Sequence, residues 1–119
     1  MAKVLGVGGI FFRARDAAAL SLWYERHLGI GGFWQQQQGP LVFAPFAANT
    51  DYFPADRQWM LNLRVDDLSA LIAQLTSAGI GVETRPHEWD SPETGQFARI
   101  VDPEDNPIEL WQAPASQSA

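Results

Sequence analysis

Few side chains in this sequence are equipped for chemistry. There are two histidines, His27 and His87, and no cysteine among 119 residues, which removes thiol nucleophiles, thiolate metal sites and disulfides together. No glycine-rich phosphate loop follows a strand, and there is no G-x-S-x-G elbow or Ser-His-Asp spacing. The adjacent carboxylates Asp66 and Asp67 stand where a helix begins, and capping accounts for them. His27 shares a helix with Trp23 and Tyr24 and reads as a packing residue. His87, in R-P-H-E-W-D, reads as an exposed loop residue, with metal or substrate contact as the alternative. Glu109, in N-P-I-E-L, is the carboxylate with a definite partner. Pairing Ile100 with Ile108 in the last hairpin sets Arg99 opposite Glu109. The two form either a plain cross-strand ion pair or a carboxylate held by an arginine to orient a polar ligand.

Positioning these groups falls to a short series of elements. Residues Val4 to Arg15 alternate as a strand, and Asp16 is the N-cap of a helix running to about Leu28. Leu20, Trp23, Tyr24, His27 and Leu28 form that helix's stripe, and Gly29 ends it. Short strands are expected near Gly32 to Gln37 and Leu41 to Phe46, broken by Gly39-Pro40, then a loop from Ala47 to Asp56. The run Gln35 to Gln38 fits a solvent-facing edge. Trp59 to Val65 alternates again, and Asp66-Asp67 opens a second helix with Leu68, Leu71, Ile72 and Leu75 on one face, ended by Gly79. Strands near Val82 to His87, Phe97 to Val101 and Ile108 to Gln112 follow, then a polar tail. If Leu61, Leu63 and Val65 pack on helices, then Met60, Asn62 and Arg64 face the opposite side. Gly9, Phe11 and Arg13 join them from the first strand, and Glu109 and Trp111 from the last.

Composition bounds the rest. The chain is 46% hydrophobic and 18% charged, which excludes collagenous and disordered classes. Eight Lys and Arg against 14 Asp and Glu leave a net charge of −6, too few cations for a nucleic-acid face. The apolar run Val4 to Phe12 falls far short of the roughly 20 residues a bilayer span needs, and no leader cleavage pattern follows it. A soluble protein of the cytoplasm is expected, with no membrane partner. Fourteen aromatic residues, five Trp, seven Phe and two Tyr, exceed the ordinary need of one small core. They either line a cavity or interface or are all core.

The halves repeat. Asp16, Gly29, Ile30 and Gly31 recur fifty positions on as Asp66, Gly79, Ile80 and Gly81. With that repeat, GGIFFRARD (Gly8 to Asp16), WYERHLGI (Trp23 to Ile30), NLRVDDL (Asn62 to Leu68) and VDPEDNPIELW (Val101 to Trp111) give a chain that resembles the vicinal oxygen chelate superfamily of glyoxalase I, bleomycin-resistance proteins and extradiol dioxygenases. The resemblance implies an α+β fold of two paired βαβββ modules forming a cup-shaped mixed sheet with helices outside. A single domain over 1–119 is expected, with module one about 4–57, module two about 58–112 and a tail at 113–119. Module one's last strand is expected to be short or absent around Asp51 to Arg57. Relatives carry Gly at the place of Asp105, so Asp105 or Asn106 is expected in a left-handed conformation.

Metal-dependent members of that superfamily use a first-strand His, a module-one carboxylate, a residue on module two's first strand and a Glu on the last strand. Here those positions correspond to Gly9, at the earliest Asp51, Met60 (Trp59 if the register slips) and Glu109. Only Glu109 matches, so no metal and no other cofactor are expected. The resemblance then implies a protein that binds a small, partly aromatic molecule in the cup. Its expected ligand-binding residues are Phe11, Arg13, Met60, Asn62, Arg64, Arg99, Glu109 and Trp111. The net charge would favour cationic or aromatic ligands. The alternatives are a lyase or dioxygenase with a displaced metal site or with Glu109 as acid/base, and a non-catalytic interaction module with Trp at a dimer contact. The resemblance also implies a homodimer.

Overall fold

The computed structural model describes residues 2–115. Helix α1 (Ala17–Leu28) starts where Asp16 accepts a hydrogen bond from the Ala19 N–H at 3.1 Å. It stops at Gly29, whose φ of 70° turns the amide back onto the Glu25 carbonyl. Helix α2 (Leu68–Ser77) is capped by Asp67 rather than Asp66, with Ala70 N–H donating at 3.1 Å. The second cap is thus one residue late relative to the repeat. Gly79, at φ 83°, closes α2, and Ile80 N–H reaches the Leu75 carbonyl.

Three strands form one mixed sheet: β1 (Leu61–Arg64), β2 (Gln96–Val101) and β3 (Pro107–Gln112), in the order β1-β3-β2. β1 runs parallel to β3, and β2 antiparallel, with Ile100 opposite Ile108 and Arg99 opposite Glu109, as the hairpin arithmetic required. The expected left-handed residue is Asp105, at φ 67°. On one face, Ile100, Ile108 and Leu110 are sealed against Leu68 and Leu75 of α2 and Leu20 and Tyr24 of α1. Each such aliphatic side chain contributes roughly 1.5–3 kcal/mol by burial. The chain is therefore mixed α and β with one helix-backed open sheet.

The first module departs from expectation. Residues 4–15, 32–37 and 41–46 form no ladder among the described residues. Phe11 and Phe33 are fully exposed, as is most of Val4. An apolar run becomes a strand only when another edge accepts its backbone groups, and none among the described residues does so. Among the described residues the expected pair of modules is thus not formed, and the ordered sheet consists of β1, β2 and β3 alone. Residues 51–57 likewise form no strand.

The strand expected at Val82 to His87 also shrinks, to a single bridge between Glu83 and Arg99. Pro86 has no N–H for a ladder and suits the first turn of a helix, so the short helix α3 (Pro86–Trp89) begins there and takes His87 with it. Of the polar tail at 113–119, residues 116–119 lie outside the described residues. No helix among the described residues is long and apolar enough to cross a membrane.

Candidate functional site

Strand alternation sorts the sheet's side chains onto two faces. With Ile108 and Leu110 on the helix side, the open side receives Asn62 and Arg64 from β1, Glu109 and Trp111 from β3, and Phe97 and Arg99 from β2. Glu109 lies at its centre and is buried, at 9% exposure. Both carboxylate oxygens are engaged: the Asn62 amide donates to Oε1 at 2.8 Å, and the Tyr52 hydroxyl donates to Oε2 in a short hydrogen bond. Tyr52 comes from the irregular stretch ahead of β1, and a ring wall surrounds it. Phe46 stacks on it at 5.8 Å between centroids, and Trp89 of α3 meets it edge-on at 6.3 Å. Phe53 meets Phe46 at 5.5 Å.

Arg99 stands opposite Glu109 in register but does not pair with it. Among the described residues its guanidinium has no carboxylate within 4.0 Å. It lies instead over the rings of Tyr52, at 4.7 Å, and Trp89, at 5.5 Å. Its Nη2 reaches only the Met60 sulfur, at 3.8 Å, and its Nε is buried with no acceptor. A buried N–H left unpaired costs roughly 1–3 kcal/mol. The plain ion-pair reading of Arg99 and Glu109 is therefore corrected. Tyr52 and Asn62 have taken both oxygens.

The remaining expected residues divide. Trp111 is buried, stacks on Phe97 at 6.2 Å and donates its indole N–H to the Thr94 carbonyl at 2.7 Å. Arg64 is exposed and turns outward to the carbonyls of Gln37, at 2.6 Å, and Gln38, at 3.4 Å, pinning a first-module loop over the sheet. Phe11 and Arg13 are exposed and outside the cluster, because the strand that was to carry them has no partner. His27 packs on Trp23 in α1, and His87 is exposed on α3. Among the described residues no three His, Asp or Glu side chains gather closely enough to hold a metal ion. Sequence reasoning missed Tyr52, Trp89 and Phe46, whose one signal was the surplus of aromatic residues.

Two clefts lie off this face. One of about 450 Å³ follows the outer edge of β2, beside Glu83, Arg99 and Val101. Another, of about 310 Å³, lies between the end of α1 and β1, beside Trp34 and Arg64. Neither is lined by Glu109 or Tyr52, although the first reaches Arg99.

The two tyrosines have altered acidity. Burial first, then the hydrogen bond and charge of Glu109, push the Tyr52 phenol up to about 12, against the opposing effect of Arg99. Burial first, then Asp102, holds Tyr24 further above its ordinary value. At neutral pH Tyr52 is thus a neutral donor, unsuited to act as a base. Both folded values exceed the unfolded one, about 10. The stability carried by these hydroxyls is therefore whole below about pH 10 and falls as pH rises toward the folded values. A titration of tyrosinate absorbance is expected to show neither of the two tyrosines ionising with the ordinary midpoint until the protein is unfolded. One tyrosine titrating normally in the folded protein would contradict this geometry.

A family model described as a glyoxalase-like domain matches residues 9–111. No curated protein matches the sequence significantly. Among solved structures, the chain is similar to TnmS3, an antibiotic-binding protein from Streptomyces sp. CB03234, at 28% identity over 82% of this chain and 87% of that one, with a TM-score of 0.50. A bleomycin resistance determinant encoded on the transposon Tn5 is 24% identical over 84% of this chain and 91% of its own, with a TM-score of 0.51, and speaks to the fold alone. These similarities agree with the resemblance to the vicinal oxygen chelate superfamily.

Proposed function

The chain belongs to the glyoxalase-like domain family, and from that premise we propose that it binds a small, flat, partly aromatic molecule on the open face of the sheet, without a divalent ion. The observation that carries this reading is the arrangement around Glu109. The carboxylate, fixed by Tyr52 and Asn62, is walled by Tyr52, Phe46 and Trp89, with Trp111 and Phe97 further along the same face. Polar anchors among aromatic rings suit a ligand that is conjugated and oxygen-bearing. The antibiotic-binding role of the similar TnmS3 supports binding over catalysis.

The family's metal-dependent members use a divalent ion, and the residues here do not fit one. Around Glu109 stand a phenol, an amide, a thioether and a guanidinium, where a hard cation requires further carboxylates or imidazoles. Phe11, Arg13 and Arg64 stay in the proposal only as residues that a completed cup would bring closer. Having no cysteine, the protein is suited to the cytoplasm.

We also propose a homodimer. The outer edge of β1 has no ladder neighbour among the described residues, and Phe11, Phe33 and Phe43 are almost wholly exposed. A second copy covering these surfaces would complete the paired cup. Light scattering is expected to read about twice 13.2 kDa.

Purified protein is expected to hold well under one equivalent of Zn, Fe, Mn or Ni, and a chelator to leave its melting temperature unchanged. Titration with 1,4-naphthoquinone is expected to quench Trp fluorescence saturably, less so in Trp111→Phe. Stoichiometric metal bound through Glu109 would overturn the metal-free reading and favour a lyase or dioxygenase of the same superfamily.

A further inference from the structure

The cation on the ligand face is unspent. Arg99 carries five N–H donors. Among the described residues they meet one sulfur atom, at 3.8 Å, and no carboxylate within 4.0 Å. Its backbone is held by the paired hydrogen bonds with Glu83, and its guanidinium by the rings of Tyr52 and Trp89. The group is thus positioned by the rings and by its interaction with the Tyr52 hydroxyl, with no carboxylate to neutralise its charge. The buried Nε, with no acceptor, is the clearest sign.

Two carboxylates stand directly across from Arg99 and both are committed elsewhere: Glu109 to Tyr52 and Asn62, and Glu83 to Arg85. We propose that Arg99 is the receptor for an oxyanion, and that the ligand class is an aromatic acid: a flat ring system carrying a carboxylate or an acidic phenol. The oxyanion takes the Nη donors at the tip of the guanidinium, and the ring lies against the aromatic wall. A guanidinium meets a carboxylate through two parallel hydrogen bonds, which a neutral amide reproduces in part and an ammonium not at all.

This proposal reverses the preference that the net charge of −6 implies. Distance decides between the two effects. Surface charges beyond roughly 8–10 Å are screened at physiological ionic strength, whereas a donor in hydrogen-bond contact and shielded by rings is not. Added salt is therefore expected to weaken the repulsion more than the contact.

The proposal rests on the reading that this face binds flat aromatic molecules, and the test separates the two. Calorimetric titration would compare 2-naphthoate, its neutral amide and 2-naphthylmethylammonium, three probes with one ring system. The acid is expected to bind roughly tenfold or more tighter than the amide, with the ammonium weakest. In Arg99→Gln the acid should lose that advantage while the amide keeps its affinity. Arg99→Lys, which keeps the charge and loses the fork, should retain part of it, and Arg26→Gln on α1 all of it. Circular dichroism melts establish that each variant is folded, and Arg99→Lys carries the test if Arg99→Gln is not. Equal binding of acid and amide, or a preference for the ammonium, overturns the oxyanion receptor and leaves the aromatic site standing. No binding by any of the three overturns both.

Discussion

Asp102→Ala is expected to lower stability by about 3 kcal/mol, a fall of roughly 10 °C in melting temperature for a domain of this size. Asp102 is buried, at 3% exposure, in the turn between β2 and β3. It accepts from the Tyr24 hydroxyl at 2.7 Å, from the Asn106 amide at 2.8 Å, and from the backbone N–H groups of Glu104 and Asn106 at 2.8 and 3.0 Å. The backbone bonds shape the turn in which Asp105 adopts its left-handed conformation. The Tyr24 bond spans 78 positions and ties α1 to the hairpin that carries Glu109 and Arg99. Alanine leaves all these donors without an acceptor, and each unmet one costs roughly 1–3 kcal/mol where water cannot reach it. The sum is lowered because the turn is partly open to water. Asp102→Asn keeps one acceptor oxygen and should lose about half as much. Thermal melts of the two variants check the order. A fall under about 2 °C for Asp102→Ala would show that the turn is held elsewhere.

Glu104 strengthens that connection. Its carboxylate accepts from the backbone N–H groups of Arg15 and Asp16, at 2.6 and 2.9 Å, at the start of α1. The Asp16 and Arg15 donors together hold its carboxyl below its ordinary range. The conspicuous VDPEDNPIELW segment is thus a polar clamp whose Asp and Glu both reach the first helix. Its sequence specificity reflects that structural task as much as any ligand.

What could be read from the chain follows the range of the forces involved. Helix caps act over three or four residues, so Asp16, Gly29 and Gly79 were legible. The β2-β3 register was legible because a short hairpin between Ile100 and Ile108 leaves few alternatives. The first-module strands were not, because alternation from Val4 to Arg15 says which faces a strand would have, not whether an edge exists to receive it. Val82 to His87 failed for a local reason, Pro86, that outweighed the apolar pattern.

The site divides in the same way. Asn62, Glu109, Arg99 and Trp111 follow from period-two alternation within a sheet whose register was correct, and the structure brings them to one face. Tyr52 lies in an irregular stretch where no periodicity exists, 57 positions from Glu109. Trp89, two residues beyond the strand expected at Val82 to His87, lies on α3. Their arrival explains why the expected ion pair is absent. A tyrosine hydroxyl and an asparagine amide satisfy the carboxylate, and the arginine is left to the rings.

Glu109 then offers the sharper functional contrast. Glu109→Ala is expected to weaken binding of a flat aromatic ligand by roughly tenfold or more and to lower stability by about 2 kcal/mol. The carboxylate does not need to touch the ligand for this to happen. It fixes Tyr52, and Tyr52 carries the stacking with Phe46 and the contact with Arg99. Released, the phenol loses the carboxylate that fixes it, and the wall of the site loses the anchor of its central ring. The stability term is smaller than for Asp102, because Asn62 lies at the surface and its amide can turn to water. Helical content should be unchanged, since among the described residues none of the three helices donates a hydrogen bond to Glu109. Glu109→Gln separates the role of shape from that of charge. Its carbonyl oxygen can keep the Tyr52 bond, while its NH2 faces the Asn62 amide donor unless that amide turns, so its binding should lie between wild type and alanine. Calorimetry beside a thermal melt reads the two effects independently. Normal affinity in Glu109→Ala with a lowered melting temperature would confine the residue to a structural role and move the ligand away from Tyr52.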